Sequence, residues 1–183
     1  MINDILHEAD GKMDKSVETT REEFATIRAG RAQPSMFAKI LVDYYGTPTP
    51  LQQLASFTAP EARIIIVAPF DIGAMSNIEK AIRDSDLGVN PSNDGKMLRC
   101  VFPELTEDRR KEYVKIVRAK GEEAKVAIRN VRRRAKDDLD ALNKEVGEDE
   151  LARAEKELDA TTKPHVDAID LALKHKEAEL LEV

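Results

Sequence analysis

The side chains best suited to chemistry in this chain are lysines and arginines crowded into one segment. Residues 109–136 hold 12 Lys or Arg against 3 Glu, within a chain whose net charge is −6. The densest part contains Arg129, Arg132 and Arg133. A guanidinium group binds phosphate through two parallel hydrogen bonds, whereas an ammonium group acts only as a point charge. The segment therefore predicts a surface that binds a phosphate backbone, as in nucleic acid.

Apolar residues recur every three or four positions in this segment, which predicts a long helix. On a helical projection that advances about 100° per residue, the apolar residues form one stripe and the basic residues form a second beside it. We call the second set the basic stripe: Lys111, Lys115, Arg118, Lys125, Arg129, Arg132, Arg133 and Lys136. Arg134 lies off the basic stripe. We expect the stripe to face solvent, and its leading RNA-binding candidates are Lys125, Arg129, Arg132, Arg133 and Lys136.

Charge runs on helices are usually ordinary solvated faces, and this is the first alternative. Only Glu122 interrupts the basic stripe with the opposite sign. Pairs four residues apart are therefore mostly like-charged and mildly destabilising, which a role in stability alone does not explain. A second alternative is a helical scaffold that binds an acidic protein through the same stripe.

A smaller basic group, Arg28 and Arg31, flanks Gly30 where the first predicted helix ends. A cation is favoured at a helix C-terminus in any case, so a charged cap is the simpler interpretation. We include Arg28 and Arg31 among the RNA-binding candidates because the bundle could bring them beside the basic stripe.

Other chemistry finds little support in the sequence. The chain contains no Walker-type phosphate loop and no Gly-x-Ser-x-Gly elbow, and its three histidines have no Cys or His at metal-ligand spacing. Asn90 to Gly95 is interpreted as a turn, and Cys100 as a small buried hydrophobe. We therefore expect a protein that is not an enzyme and has no metal and no cofactor.

The sequence also indicates the cellular location of the protein. No apolar run approaches the roughly 20 residues that span a bilayer. Asp4, Glu8 and Asp10 occupy the N-terminal segment, where a signal peptide would be basic and apolar. We expect a cytoplasmic monomer with no membrane association.

Three long helices are predicted to carry the basic residues. The first runs from Ile2 to Ile27 and ends near Gly30, and the second starts at an N-cap, Thr106, and continues to Gly147. The third follows Gly147, with a kink expected at Pro164. Single apolar stripes of this length are unstable alone, so the three helices must pack together as an antiparallel bundle.

Between Pro34 and Pro103 the pattern changes to short β-rich runs around one amphipathic helix, Ile72 to Asp84. The runs are Ile40 to Tyr45, Ala55 to Thr58, Arg63 to Ala68 and Met97 to Phe102. The predicted fold is therefore α+β: a three-helix bundle (residues 1–30 and 105–183) with an inserted small, β-rich α/β domain (31–104), L-shaped overall. We expect the two crossings to act as hinges, formed by Gly30, Ala32, Gln33, Pro103, Glu104 and Leu105.

Six ordered motifs resemble those of the bacterial ribosome recycling factor family. Three lie in the first half of the chain: Ile27-Arg28-Ala29-Gly30-Arg31-Ala32, Asp43-Tyr44-Tyr45-Gly46-Thr47-Pro48-Thr49-Pro50-Leu51 and Ser85-Asp86-Leu87-Gly88-Val89-Asn90-Pro91. Three follow later: Leu105-Thr106-Glu107-Asp108-Arg109-Arg110-Lys111, Val126-Ala127-Ile128-Arg129-Asn130-Val131-Arg132-Arg133 and Lys176-Glu177-Ala178-Glu179-Leu180. The resemblance covers essentially the whole chain.

The resemblance implies a function that the residue pattern does not supply. Members of this family split ribosomes into subunits after peptide release, together with elongation factor G, which supplies GTP hydrolysis. It also implies that the bundle docks on RNA of the large ribosomal subunit and that the small domain moves about the hinge. Arg28, Arg31, Arg129, Arg132 and Arg133 match the family's RNA contact region.

Overall fold

The computed structural model describes residues 1–27 and 30–182. It contains four helices, α1 (Ile2–Ala25), α2 (Met75–Arg83), α3 (Glu107–Asp140) and α4 (Glu148–Leu181). Six strands lie between α1 and α3: β1 (Leu41–Tyr44), β2 (Thr47–Pro50), β3 (Ala55–Glu61), β4 (Ile64–Pro69), β5 (Pro91–Asn93) and β6 (Leu98–Val101). The predicted α+β class, with three long helices and a small β-rich part, is confirmed.

The chain divides into two compact units. The helical unit comprises Met1–Phe24 and Val114–Ala178, and the β-rich unit comprises Ala25–Tyr113 and Glu179–Val183. Each unit has its own hydrophobic core. The first turns of α3 and the last residues of α4 belong to the β-rich unit. The boundary between the units therefore does not coincide with the ends of these helices.

The core of the helical unit is formed by one apolar stripe from each of its three helices. Its buried members are Leu6, Ala9, Met13, Val17, Ala124, Ile128, Ala135, Leu139, Ala154, Leu158 and Ile169. Burying a large aliphatic side chain such as Ile128, which is fully buried, stabilises the fold by about 1.5–3 kcal/mol. The stripe thus fixes the rotation of each helix about its axis.

The β-rich unit contains a four-stranded antiparallel sheet in the order β3-β4-β6-β5 and a separate β1-β2 hairpin. Ile65 and Val67 of β4 are fully buried, as are Ile78 and Ile82 of α2. These residues share one core, so α2 covers an apolar surface, as its amphipathic pattern predicts. Cys100 lies in this core, and burial raises the pKa of its thiol to about 12.

Strands also occupy three segments outside the predicted β-rich runs. Residues Thr47–Pro50, which follow Gly46, form β2 and pair with β1, and β3 continues through Ala59 and Pro60 to Glu61. Pro91–Asn93 forms the edge strand β5, whereas the interpretation of Asn90 to Gly95 as a turn was right only for its end. Prolines mark turns in a sequence, but an edge strand tolerates them because one side of it needs no ladder hydrogen bond.

The predicted helix ends are confirmed at some positions and shifted at others. The hydroxyl of Thr106 accepts a hydrogen bond from the Arg109 N–H, as an N-cap does. α1 ends at Ala25, two residues before the predicted Ile27, so Gly30 does not cap the helix directly, although its φ is +90°. α3 ends at Asp140, seven residues before Gly147, and α4 runs through Pro164 without a break. No described helix is both long and apolar enough to cross a membrane.

His165 of α4 connects to α1 through two carboxylates. Its Nε2 lies 2.6 Å from Asp14 Oδ1 and 3.5 Å from Asp10 Oδ1, and its Nδ1 lies 2.7 Å from the Thr161 carbonyl oxygen. Sequence spacing missed this group because its members come from two helices. The 2.6 Å distance is that of a hydrogen bond, whereas two ligands of one tetrahedral zinc would lie roughly 3.3 Å apart.

We predict that the His165 contact stabilises the protein most at low pH. Burial of the imidazole lowers its pKa, but the acceptors on Thr161 and Asp14 and the charge of Asp10 outweigh burial, so the pKa is raised above 6.5. The stabilisation is then complete below an unfolded-state pKa of about 6.5 and is lost as pH rises through the folded-state pKa.

Urea unfolding of the wild type and His165→Gln tests this prediction. The difference in unfolding free energy is expected to be about 1 kcal/mol near pH 5.5 and smaller near pH 9. His175→Gln, an exposed histidine on the same helix, is the control. A His165→Gln difference that does not change with pH would contradict the prediction.

Candidate nucleic-acid interface

The apolar stripe of α3 determines where its charged side chains point. Val117, Ala124, Ile128, Ala135 and Leu139 are buried along one face of the helix. A residue next to a buried position is turned by about 100°, so it lies at the edge of the core or outside it. The basic stripe therefore occupies the border of the core and the adjoining exposed face.

The border positions form ion pairs with carboxylates of α4. Arg132 Nε lies 2.6 Å from Asp159 Oδ1, and Lys125 Nζ lies 2.9 Å from Asp170 Oδ1. The partners along the whole border are Arg118 with Glu177, Lys125 with Asp170, Arg132 with Asp159 and Glu155, and Lys136 with Glu155. Partner numbers on α4 fall as those on α3 rise, so the two helices are antiparallel. We call this set the ion ladder.

The ion ladder keeps its cations charged. Lys125 Nζ also lies 2.8 Å from Glu122 Oε1, and the hydrogen bonds that Lys125 donates to Glu122 and then to Asp170 raise its pKa. The hydrogen bond to Asp159 likewise raises the pKa of Arg132. Lys125 and Arg132 therefore keep their positive charges near neutral pH.

Arg129 and Arg133 differ from the ladder cations. Both are exposed, and no carboxylate in the described part of the chain lies within ion-pair distance of either one. They lie one helical turn apart, so their like charges disfavour the helix by roughly 0.2–0.5 kcal/mol. We call these two residues the exposed arginine pair. Their donors are available to an external anion such as phosphate.

The expectation that the entire basic stripe faces solvent was wrong for Lys125 and Arg132. The side chain of Lys125 is only 14% exposed and that of Arg132 is 31% exposed, whereas that of Arg118 is 62% exposed. A projection of α3 alone could not show this, because the opposing carboxylates of the ladder lie 19 to 59 residues further along the chain (Lys136 to Glu155 and Arg118 to Glu177). A signal was present in α4, where Glu155, Asp159, Asp170 and Glu177 follow the edge of its apolar stripe.

The remaining RNA-binding candidates are Arg28 and Arg31. Arg31 is exposed in the β-rich unit, whereas Arg28 falls outside the described residues. Their role in RNA binding stays a prediction.

The predicted hinge residues have contrasting surroundings. Ala32 is fully buried, and its N–H donates to the Ala62 carbonyl oxygen at 2.8 Å, so it is fixed within the β-rich unit. Gln33, Pro103 and Glu104 are exposed, and Leu105 is half-buried. The backbone freedom expected of a hinge is best matched by Gly30, whose positive φ favours glycine.

These features define a class of protein: an α+β chain with one three-helix unit, which carries an ion ladder and an exposed arginine pair, and with a separate β-rich unit. The family model described as "Ribosome recycling factor" matches residues 20–181. The chain therefore belongs to the ribosome recycling factor family.

Individual relatives agree over their full lengths. The chain is 75% identical to a ribosome-recycling factor from Nocardioides sp. and 63% identical to one from Streptomyces coelicolor, with complete coverage of both chains in each case. It is also similar to a solution structure of a ribosome recycling factor, with a TM-score of 0.81 and 38% identity, covering 100% of this chain and 98% of that one.

A second solved structure is of a ribosome recycling factor in a complex. It holds models of the T. thermophilus ribosome recycling factor and the E. coli elongation factor G bound to the E. coli post-termination complex. This chain matches it with a TM-score of 0.67 and 44% identity, and coverage is 100% on both sides.

We predict that the ladder and the exposed arginine pair respond oppositely to truncation. Arg132→Ala removes the ion pair with Asp159 and is expected to lower the unfolding free energy by up to about 1 kcal/mol. Arg129→Ala removes only a like-charge contact and is expected to leave stability unchanged or to raise it by up to about 0.5 kcal/mol.

Urea unfolding at low and high salt measures both effects. The loss caused by Arg132→Ala is expected to shrink at high salt because salt screens a partly exposed ion pair. Equal destabilisation by both variants would show that the distinction between the two groups is wrong.

Proposed function

We propose that this chain is a ribosome recycling factor that, with elongation factor G, splits post-termination ribosomes into subunits after peptide release. Its membership of the family and its 44% identity to a recycling factor bound with elongation factor G on a post-termination complex support this function. The protein acts in the cytoplasm as a monomer. It performs no chemistry of its own, and GTP hydrolysis is supplied by elongation factor G.

The proposed docking of the helical unit on RNA rests on the exposed arginine pair. Arg129 and Arg133 point outward from a helix whose opposite face is buried, so a rigid scaffold holds two unpaired guanidinium groups. We propose that they bind phosphates of large-subunit RNA, with Lys125, Arg132 and Lys136 beside them and with Arg28 and Arg31 contributing. Such contacts position a protein on RNA without reading its sequence.

An acidic protein could bind the same arginines, which would make the chain a helical scaffold. The family assignment favours RNA. Pull-down before and after ribonuclease treatment separates the two, because a scaffold partner would survive digestion and contain no ribosomal component.

We predict that the double variant Arg129→Ala/Arg133→Ala binds the large subunit more weakly and with less salt dependence. Each lost phosphate contact is expected to reduce the slope of log affinity against log salt by about 1, giving a decrease of roughly 2. Filter binding or sedimentation over a salt series measures both quantities.

The matched control is Arg134→Ala/Arg153→Ala, which removes the same charge from exposed positions off the basic stripe. The control is expected to change affinity only slightly through the general field. If the Arg129 and Arg133 variant kept its affinity and slope with an intact fold, the RNA-docking role of the pair would be refuted.

We also propose that the segments at residues 30–33 and 103–105 form a hinge that lets the small domain between them move during splitting. Gly30→Ala places a side chain on a backbone with φ +90°, where nothing lies within 4 Å of the added Cβ. Gly30→Ala therefore acts through backbone strain and not through steric crowding. The strain disfavours the positive-φ conformation of residue 30 by about 1 kcal/mol or more.

Gly30→Ala is expected to bind ribosomes normally but to split them more slowly with elongation factor G and GTP. Light scattering measures splitting, and sedimentation measures binding. Gly11→Ala within α1 is the control, because its Cβ is equally unobstructed and its backbone is helical. Unchanged splitting by Gly30→Ala would show that Gly30 is not part of a functional hinge.

A further inference from the structure

The ion ladder places carboxylates directly beside the proposed RNA-binding surface. Four cations of α3 are each within ion-pair distance of an acidic residue of α4. Arg129 and Arg133, one turn away on the same helix, have no such partner among the described residues. Within the basic stripe, the ladder cations thus face carboxylates of α4, whereas the exposed arginine pair does not.

Stability is a weak explanation for this arrangement. Ion pairs with exposed members contribute about 0–1 kcal/mol each, and several carboxylates of the ladder are half exposed, with Asp159 at 54% and Asp170 at 53%. The effect on binding is larger in principle. A cation with a carboxylate at 2.6 to 2.9 Å contributes little to the long-range field that attracts a polyanion.

The carboxylates also occupy donors that a phosphate would need. The Nε of Arg132 donates a hydrogen bond to Asp159 Oδ1. Its terminal Nη2 lies 4.0 Å from Glu155 Oε1. Lys125 meets Glu122 and Asp170 together, and its side chain is only 14% exposed. An incoming RNA must compete with these acceptors and tolerate their negative charge.

We propose that Asp159 and Asp170 are specificity-determining residues, which mask Arg132 and Lys125 so that these two cations are less available to RNA in general than the exposed arginine pair. A ribosomal surface that positions its phosphates on Arg129 and Arg133 binds well, whereas unstructured or unrelated RNA gains few contacts. This inference rests on the proposed function and identifies what limits binding at that same surface.

The test neutralises the masking carboxylates without changing their shape. Asp159→Asn/Asp170→Asn is compared with Glu150→Gln/Glu157→Gln, which changes the net charge equally at exposed α4 positions without an ion pair in the described structure. The probes are a duplex RNA of arbitrary sequence and purified large subunits. Affinity for each is measured by fluorescence anisotropy or sedimentation across a salt series.

The ladder variant is expected to bind the arbitrary duplex at least tenfold more tightly at low salt. Its slope of log affinity against log salt is expected to steepen by about 1.8, the value for two further phosphate contacts on a duplex. The gain on large subunits is expected to be smaller, so selectivity falls. A purely structural role would lower the urea midpoint but leave the salt slope unchanged.

Two results would overturn the proposal: an unchanged affinity for the duplex in the ladder variant, or an equal gain in the control variant, which would reflect net charge alone. If the double variant folds poorly, Asp170→Asn alone is expected to give about half the change in slope. Failure of the proposed function is recognised separately, by wild-type large-subunit binding in Arg129→Ala/Arg133→Ala.

Discussion

The rotation of α3 about its own axis is the constraint on which the surface depends. Ile128 and Leu139 are buried with residues of α1 and α4, and this packing fixes the direction of every other α3 side chain. Arg132 must then face α4, and Arg129 must face solvent. The two arginines have the same chemistry and lie less than one turn apart, yet only one has a carboxylate partner in the described structure. Hydrophobic packing thus decides which charges are available for binding.

Much of the fold could be predicted because the three long helices each carry a regular apolar stripe. Thr106 was identified as a cap for a local reason that tertiary structure did not override, whereas α1 ends at Ala25, before the Gly30 that was expected to end it. β2 and β5 were missed because both begin at or next to prolines and are short, so their pairing depends on neighbours distant in sequence. The same limit explains the end of α3, since no local signal marks Asp140.

The candidate site could be predicted only in part. The sequence identified the basic stripe and its helix, and the motifs identified the family, which the full-length relatives confirm. The division of the stripe required the structure, because an ion pair between α3 and α4 depends on their register. His165 illustrates the same point, since its partners Asp10 and Asp14 come from α1 and no spacing rule within one helix joins them.

Directed hydroxyl-radical probing from the protein tests the central claim most directly. An iron chelate is attached to Val126→Cys, an exposed site on the outward face near Arg129, and separately to Thr19→Cys on the exposed face of α1. The native Cys100 is buried with a pKa of about 12, so it resists labelling. The account predicts strong cleavage of large-subunit RNA from position 126 and weak cleavage from position 19. Equal cleavage from both positions, or stronger cleavage from position 19, would contradict it.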